Sequence, residues 1–352
     1  MKEKRIASAL VSRLKLMSGL DISERRLPQD GRFNIRVKGK SIDIRLSTMP
    51  LQYGESVVMR LLDQSGGLLR LDHIGMPSHI LARFRRFIHQ PHGIVLVTGP
   101  TGSGKTTTLY GALNEMNQPE KKIITVEDPV EYRLPRINQV QVNTKVGLTF
   151  ASVLRTALRQ DPDIVMVGEM RDKETAEIGL RAAMTGHLVL STLHTNDSIS
   201  TALRLLDMGA EGYVVASSLQ AVLAQRLVRR VCTSCSEDDP LDAQQRSWLK
   251  AALGTDDVPV GFKKGRGCSQ CGNTGYHGRI GVFELLEIDG ALADALRRND
   301  SAGFARTAQS QDHFISLADC ALEYAREGIT TMEEVVRVAG QVDELESVEE
   351  TP

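Results

Sequence analysis

Gly99-Pro-Thr-Gly-Ser-Gly-Lys-Thr106 constrains this chain more than any other stretch. A short apolar run at 94–97 precedes it and reads as a buried strand. Thr107-Thr-Leu-Tyr-Gly-Ala-Leu-Asn114 follows and reads as the first turns of a helix. Strand, glycine-rich turn and helix are the setting that a G-x-x-x-x-G-K-[ST] phosphate loop requires. The glycines let consecutive backbone N–H groups turn inward on a phosphate chain, and the helix N-terminus adds the positive end of its dipole. Gly99, Pro100, Thr101, Gly102, Ser103, Gly104, Lys105, Thr106 and Thr107 are therefore the candidate nucleotide-binding residues. Lys105 would reach the terminal phosphates, and the Thr106 hydroxyl would be one ligand of Mg2+. The bland alternative is a glycine-rich turn with no ligand, and both flanking elements weigh against it.

The surrounding pattern sets the fold class. Strand-like runs at 122–126, 164–167 and 187–192 alternate with helical stretches at 78–89, 150–160 and 173–183. That alternation implies an α/β domain whose sheet is mostly parallel and covered on both faces. The chain before it differs. Ile6, Leu10, Leu14 and Met17 recur at helical spacing up to Gly19, and Phe33, Ile35 and Val37 then alternate before the Lys38-Gly-Lys40 turn. Ile42, Ile44 and Leu46 continue the alternation, and residues 56–62 are apolar enough to read as a central strand. The expected organisation is a small α+β domain (1–64), a linker (65–76) with a joint at Gln64-Ser-Gly-Gly67, and a nucleotide-binding α/β core (77–230). A four-cysteine subdomain (231–280), a helical C-terminal part (281–345) and a frayed acidic tail (346–352) complete it.

Carboxylates at strand ends are the candidates for work on a phosphate. Ile164-Val-Met-Val-Gly-Glu169 is an apolar strand ending in an acid beside the loop, where a magnesium-associated group belongs. Ile123-Ile-Thr-Val-Glu-Asp-Pro-Val-Glu-Tyr132 offers Glu127, Asp128 and Glu131, and position alone does not choose which of them directs water at the γ-phosphorus. Thr185-Gly-His-Leu-Val-Leu-Ser-Thr-Leu-His-Thr-Asn196 places His187 at the start of a strand and His194 at its end. Ligands bind at the carboxyl ends of such strands, so His194 is the stronger candidate γ-phosphate group.

Cys232-Thr-Ser-Cys235 and Cys268-Ser-Gln-Cys271 form two C-x-x-C pairs separated by an insert longer than in the usual ribbon. Four thiolates would close the coordination sphere of a structural Zn2+, with a small subdomain between the knuckles. Cys320 has no partner by spacing. Arg45, Arg60, Arg155, Arg159, Arg171 and Arg204 are most simply solvated surface charges. Arg45 and Arg60, however, sit inside alternating strands, where a planar cation has a use such as stabilising phosphate charge on an adjacent subunit. A net charge of −1 gives no bulk reason to expect nucleic acid. No apolar run is long enough to cross a membrane, and Met1-Lys-Glu-Lys-Arg5 lacks the apolar stretch of a secretory signal, so a cytoplasmic chain is expected.

Together these stretches resemble the type II secretion and type IV pilus assembly ATPase family. The likeness runs from Leu27 to Ile288, through Walker A (99–106), an Asp box (124–132), Walker B (164–171) and a His box (185–196). Gly168-Glu-Met-Arg-Asp172 and Leu203-Arg-Leu-Leu-Asp-Met-Gly209 lean towards the mannose-sensitive haemagglutinin pilus subgroup. The resemblance implies a RecA-like nucleotide-binding domain, Glu131 as the catalytic acid with Glu127 supporting, and His194 as γ-phosphate sensor. It implies phosphate- or interface-facing roles for the six arginines. It further implies a two-lobed protomer in a homo-hexameric ring, with ATP between the lobes and hydrolysis driving an inner-membrane platform protein. The motor would sit on the cytoplasmic side, peripheral to the inner membrane. The tetracysteine part resembles the extension branch, and the first N-terminal domain of the family is expected to be absent. Two other readings are kept beside this one. A zinc-ribbon nucleic-acid-binding protein with an NTP switch would need a basic, aromatic surface around the knuckles, where only Lys263, Lys264 and Arg266 cluster beside Asp238, Asp239, Asp256 and Asp257. A nucleotide-binding scaffold without turnover would leave the acids near the loop idle.

Overall fold

The computed structural model describes residues 4–63, 70–255, 258 and 260–343, and it divides into two compact units at Leu68/Leu69. The expected joint at 64–67 and the tail at 346–352 lie outside the described residues.

In the N-terminal unit, helix α1 (Lys4–Met17) precedes three antiparallel strands, β1 (Gln29–Val37), β2 (Lys40–Leu51) and β3 (Gly54–Asp63), in the order β1-β2-β3. Lys38 and Gly39 take positive φ at 50° and 82°, which lets two residues reverse the chain with the twist of its flanking strands. Residues 56–62 were expected in a central strand, but β3 is an edge strand, and Val58 and Leu61 are both more than 60% exposed. Its apolar composition raises β-propensity without deciding which strand has two neighbours. That position went to β2, whose Ile44 and Leu46 are buried.

The larger unit begins with α2 (Ser78–Ile88) and then alternates: β4 (Gly93–Thr98), α3 (Lys105–Met116), β5 (Ile123–Glu127), β6 (Asn138–Gln141), α4 (Phe150–Ala157), β7 (Ile164–Val167), α5 (Lys173–Met184) and β8 (Leu188–Leu193). Two helices, α6 (Ser198–Asp207) and α7 (Gly212–Ser218), lead to the long strand β9 (Leu219–Val231). The cysteine region holds β10 (Ser236–Asp238), α8 (Ala243–Leu253) and β11 (Lys263–Gly265). The chain then returns to the main sheet as β12 (Tyr276–Glu287) and ends in α9 (Gly290–Arg297), α10 (Ser301–Gln309), α11 (Leu317–Arg326) and α12 (Met332–Asp343).

The seven-stranded sheet has the order β12-β9-β4-β8-β7-β5-β6, and every pairing is parallel except β12 with β9. All six residues of β4 are buried, as are all four of β7 and all six of β8. Strands buried along their whole length are those covered on both faces, the arrangement of parallel sheets. One core packs α2 and α3 on the sheet through Phe84, Ile88, Leu109 and Leu113; on the opposite face Leu180, Leu205, Val215 and Leu292 close a second core. β4 lies inside the sheet, so the loop leaving its carboxyl end opens where ligands of such folds bind.

Candidate nucleotide site and cysteine cluster

The loop after β4 has the backbone that a phosphate cradle needs. Gly99 and Gly104 have φ of 144° and 93°, values that side-chain-bearing residues rarely adopt, and Gly104 caps the start of α3. A Cβ on Gly99 would stand 2.4 Å from the Gln225 carbonyl oxygen, so glycine is required there by space as well. Lys105 Nζ donates to the carbonyls of Gly99 (2.6 Å) and Pro100 (3.2 Å), and burial pulls its pKa down to about 8. An anion beside it would reverse that shift, because an opposite charge favours the ammonium form.

Around Lys105 the structure gathers residues distant in sequence. Gly168 follows β7 and donates to the Val126 carbonyl at 2.7 Å, which seats Glu169 beside the loop. Glu169 accepts an ion pair from Arg171 at 2.5 Å, and its other oxygen lies 3.7 Å from His194 Nε2. Burial lowers the His194 pKa, and the Lys105 charge adds to the effect. The shift favours the neutral imidazole, whose ring N–H can donate to a phosphate oxygen. Asp197 then caps α6 by accepting from Ser200 N at 2.6 Å, which fixes the end of the His194 loop. His187, at the far end of β8, bonds the Ala182 carbonyl from Nδ1 at 3.1 Å and has a structural place.

The two glutamates of the 123–132 stretch part company. Glu127 is 3% exposed, and its carboxylate accepts from Tyr110 Oη, from Thr125 Oγ1 at 2.6 Å and from Gln139 Nε2 at 3.1 Å. Tyr110 Oη also receives the Glu131 backbone N–H at 3.3 Å, so Glu127 anchors the turn that presents Glu131. The Glu131 side chain is only half-buried.

The arginines fall into four places. Arg171 joins the loop cluster through Glu169. Arg155, on α4, pairs with Glu174, and Arg159 donates to the Arg155 carbonyl at 2.9 Å, while Arg204 is exposed on α6. Arg45 and Arg60 belong to the N-terminal unit, where they are cross-strand neighbours on β2 and β3.

Several residues of the site escaped the sequence reading. Thr98 Oγ1 is buried under the loop, 2.6 Å from Thr195 Oγ1, and accepts the Thr195 N–H at 3.1 Å. Gln225 and Arg226 lie against the loop from β9. The available signal was a polar pair inside an apolar strand, Ala221-Val-Leu-Ala-Gln-Arg-Leu-Val228.

The four cysteines converge as their spacing implies. Sγ separations are 3.9 Å for Cys232–Cys268, 3.9 Å for Cys235–Cys271 and 3.7 Å for Cys268–Cys271, and all four sulfurs lie within 4.8 Å of one another. Sulfurs at about 2.3 Å from a tetrahedral zinc stand roughly 3.8 Å apart, so the set fits that ion. Gly267 N and Gly275 N donate to Cys235 and Cys271 sulfurs at 3.3 Å, bonds that favour thiolates. Lys263 and Lys264 are paired with Asp238 (2.6 Å) and Asp239 (3.2 Å), which leaves the basic cluster little charge for nucleic acid.

Residues 1–337 match the family model described as Type II/IV secretion system protein. Over 335 residues the chain is 49% identical to the type II secretion system ATPase E of Vibrio cholerae serotype O1, covering 95% of this chain and 66% of that protein. It is 50% identical over 337 residues to the type II secretion system protein E of Dickeya dadantii, covering 96% and 66%. The chain thus spans about two thirds of the length of the curated relatives it matches. Among solved structures, the pilus retraction motor PilT with bound ADP superposes with a TM-score of 0.66 at 28% identity, over 92% of this chain and 80% of that one. The ATPase DotB of Legionella pneumophila shares the fold at 22% identity and a TM-score of 0.65, over 89% and 78%.

Proposed function

Because the chain belongs to the type II/IV secretion system protein family, we propose that it is a motor ATPase that hydrolyses ATP for protein secretion or pilus assembly. The observation that carries this reading is the gathering of Glu169, Arg171 and His194 at the mouth of the 99–106 loop, beside a lysine held near its titration point by burial. Residues 99–107 hold the phosphates, with Lys105 reaching the terminal ones. Thr106 and Glu169 offer an all-oxygen donor set that suits Mg2+, a hard cation that neutralises phosphate charge when bound. Glu131 orients the attacking water, Glu127 fixes the turn that carries it, and His194 reads the γ-phosphate from the end of β8. Arg171, Arg155, Arg159, Arg204, Arg45 and Arg60 are assigned to phosphate or interface contacts on the matching motif positions. The four cysteines hold a structural Zn2+.

On the same reading the protein works as a homo-hexamer on the cytoplasmic side of the inner membrane, against a platform protein embedded there. Among the described residues no helix is long and apolar enough to cross a membrane. A phosphate-release assay with and without Mg2+, on wild type, Lys105→Ala and Glu131→Gln, tests the enzymatic part. Turnover lost in both variants, with nucleotide still bound by Glu131→Gln, supports it; equal turnover in all three refutes it. Sedimentation at a series of nucleotide concentrations tests the ring.

A further inference from the structure

β9 runs beside the phosphate-loop strand, and its register carries it past that strand's end. Thr98 pairs with Ala224, so Gln225 and Arg226 lie alongside the loop itself. Both are 3% exposed. Burying a carboxamide and a guanidinium inside an apolar strand is costly unless their polar atoms are used. Their partners are informative.

Gln225 faces the phosphate loop. Its Nε2 donates to the Ser103 carbonyl at 2.7 Å, and its Oε1 accepts from Thr108 Oγ1, on α3, at 2.7 Å. The side chain therefore ties the crest of the loop to the helix that follows it. It also fills the space over Gly104, where a Cβ would meet Gln225 Nε2 at 2.7 Å. Arg226 faces the other way. Nη2 donates to the Asn196 carbonyl in the His194 loop, and Nη1 donates to the Gln225 carbonyl at 3.2 Å, close over Gly99. Its Nε is buried with no partner among the described residues, so the guanidinium is held chiefly by these carbonyls. Beyond Arg226, Glu284 of β12 accepts from Ser198 N (2.8 Å) and Ser198 Oγ (2.5 Å), pinning the start of α6 where the His194 loop ends.

We propose that Gln225 and Arg226 are positioning residues, Gln225 shaping the phosphate loop for nucleotide binding and Arg226 holding the His194 loop for turnover. The assignment rests on the nucleotide reading of residues 99–107 and deepens it. Adjacent residues on one strand point to opposite faces, and here one serves the loop that binds while the other serves the loop that senses. The two functions are thus set relative to each other by a single peptide unit of β9.

The test separates binding from turnover. Gln225→Met keeps the length of the side chain and removes both hydrogen bonds; Arg226→Lys keeps the charge and removes the planar fork. For each, the dissociation constant of a fluorescent ATP analogue with Mg2+ and the steady-state kcat are measured on the full chain. Gln225→Met is expected to weaken binding roughly tenfold, since the Ser103 carbonyl and Thr108 hydroxyl lose their buried partner. Arg226→Lys is expected to lower kcat roughly tenfold with binding changed less than about threefold. Should Gln225→Met fail to fold, Thr108→Val frees the carboxamide from its other end and is expected to weaken binding by a few-fold. Wild-type affinity in folded Gln225→Met and Thr108→Val overturns the assignment, as does equal loss of affinity and kcat in Arg226→Lys. Lys105→Ala is run beside them: if it too binds as wild type, the nucleotide reading has failed and this proposal with it. If Lys105→Ala alone is weak, only the proposal is overturned.

Discussion

Replacing Glu127 with alanine tests how the two glutamates near the loop divide their work. The Glu127 carboxylate is buried and accepts from Tyr110, Thr125 and Gln139. A hydrogen bond to a charged group contributes about 1.5–3 kcal/mol, and a buried donor left unsatisfied costs a similar amount. Tyr110 and Thr125 are themselves buried, whereas Gln139 is half-buried and can turn to water. Allowing for that relaxation, Glu127→Ala is expected to cost about 3–5 kcal/mol, the range of a broken buried network. For a unit of this size that lowers Tm by roughly 10 °C. Turnover falls as well, because Tyr110 then loses the contact that fixes the Glu131 turn. Glu131→Gln is the counterpart: the side chain is half-buried and nearly isosteric, so stability is expected to stay within about 0.5 kcal/mol while turnover collapses. Thermal melts followed by circular dichroism and a coupled ATPase assay read both quantities. The reasoning is refuted if Glu127→Ala melts within a degree of wild type, or if Glu131→Gln turns over normally.

Three further outcomes follow from the same geometry. Lys105→Ala is expected to weaken nucleotide binding about 100-fold, the loss of a charge-assisted contact. Because burial pulls Lys105 down to about 8, wild-type affinity measured by titration calorimetry should also decline as pH rises through that value; a flat profile to pH 9 would contradict it. Stripping zinc with a chelator should shift the emission of Trp248, the single tryptophan, to the red as the insert between the knuckles loosens, with nucleotide affinity retained. Metal analysis finding no zinc in the purified chain would end that idea. Burial pushes the Glu284 carboxyl up from 4.5 to about 7, with the Asp197 charge adding to the effect. The folded state then binds a proton that the unfolded chain releases, so this contribution is full below about pH 4.5 and lost as pH rises through about 7. Denaturant unfolding from pH 5 to 8 should show wild type losing on the order of 2 kcal/mol relative to Glu284→Gln; parallel pH profiles would refute it.

The parts legible in sequence were those whose chemistry is local. The phosphate loop packs its glycines, lysine and threonine into consecutive positions, and the cysteine pairs carry their own spacing, so neither depends on knowing the fold. Strands β5, β7 and β8 could be placed within a residue because each is a short, mostly apolar run bounded by polar residues or glycine. Pairing was harder to read. The apolar run in β3 spoke of β-propensity, yet its place at the sheet edge follows from which hairpin partner β2 keeps on each side. Gln225, Arg226, Thr98 and Tyr110 were missed for a related reason. Each is ordinary in its own segment and acquires a role only when β9, β4 and α3 come together around the loop. The choice between Glu127 and Glu131 was open to sequence alone because burial, which separates them, is a tertiary property.

Phosphate release by the purified chain at saturating ATP, with Mg2+ added and then withdrawn, tests the central claim most directly. Steady release that stops without Mg2+ and is absent from Glu131→Gln is the expected result. Wild-type protein that binds ATP and Mg2+ yet releases no more phosphate than Glu131→Gln would contradict it.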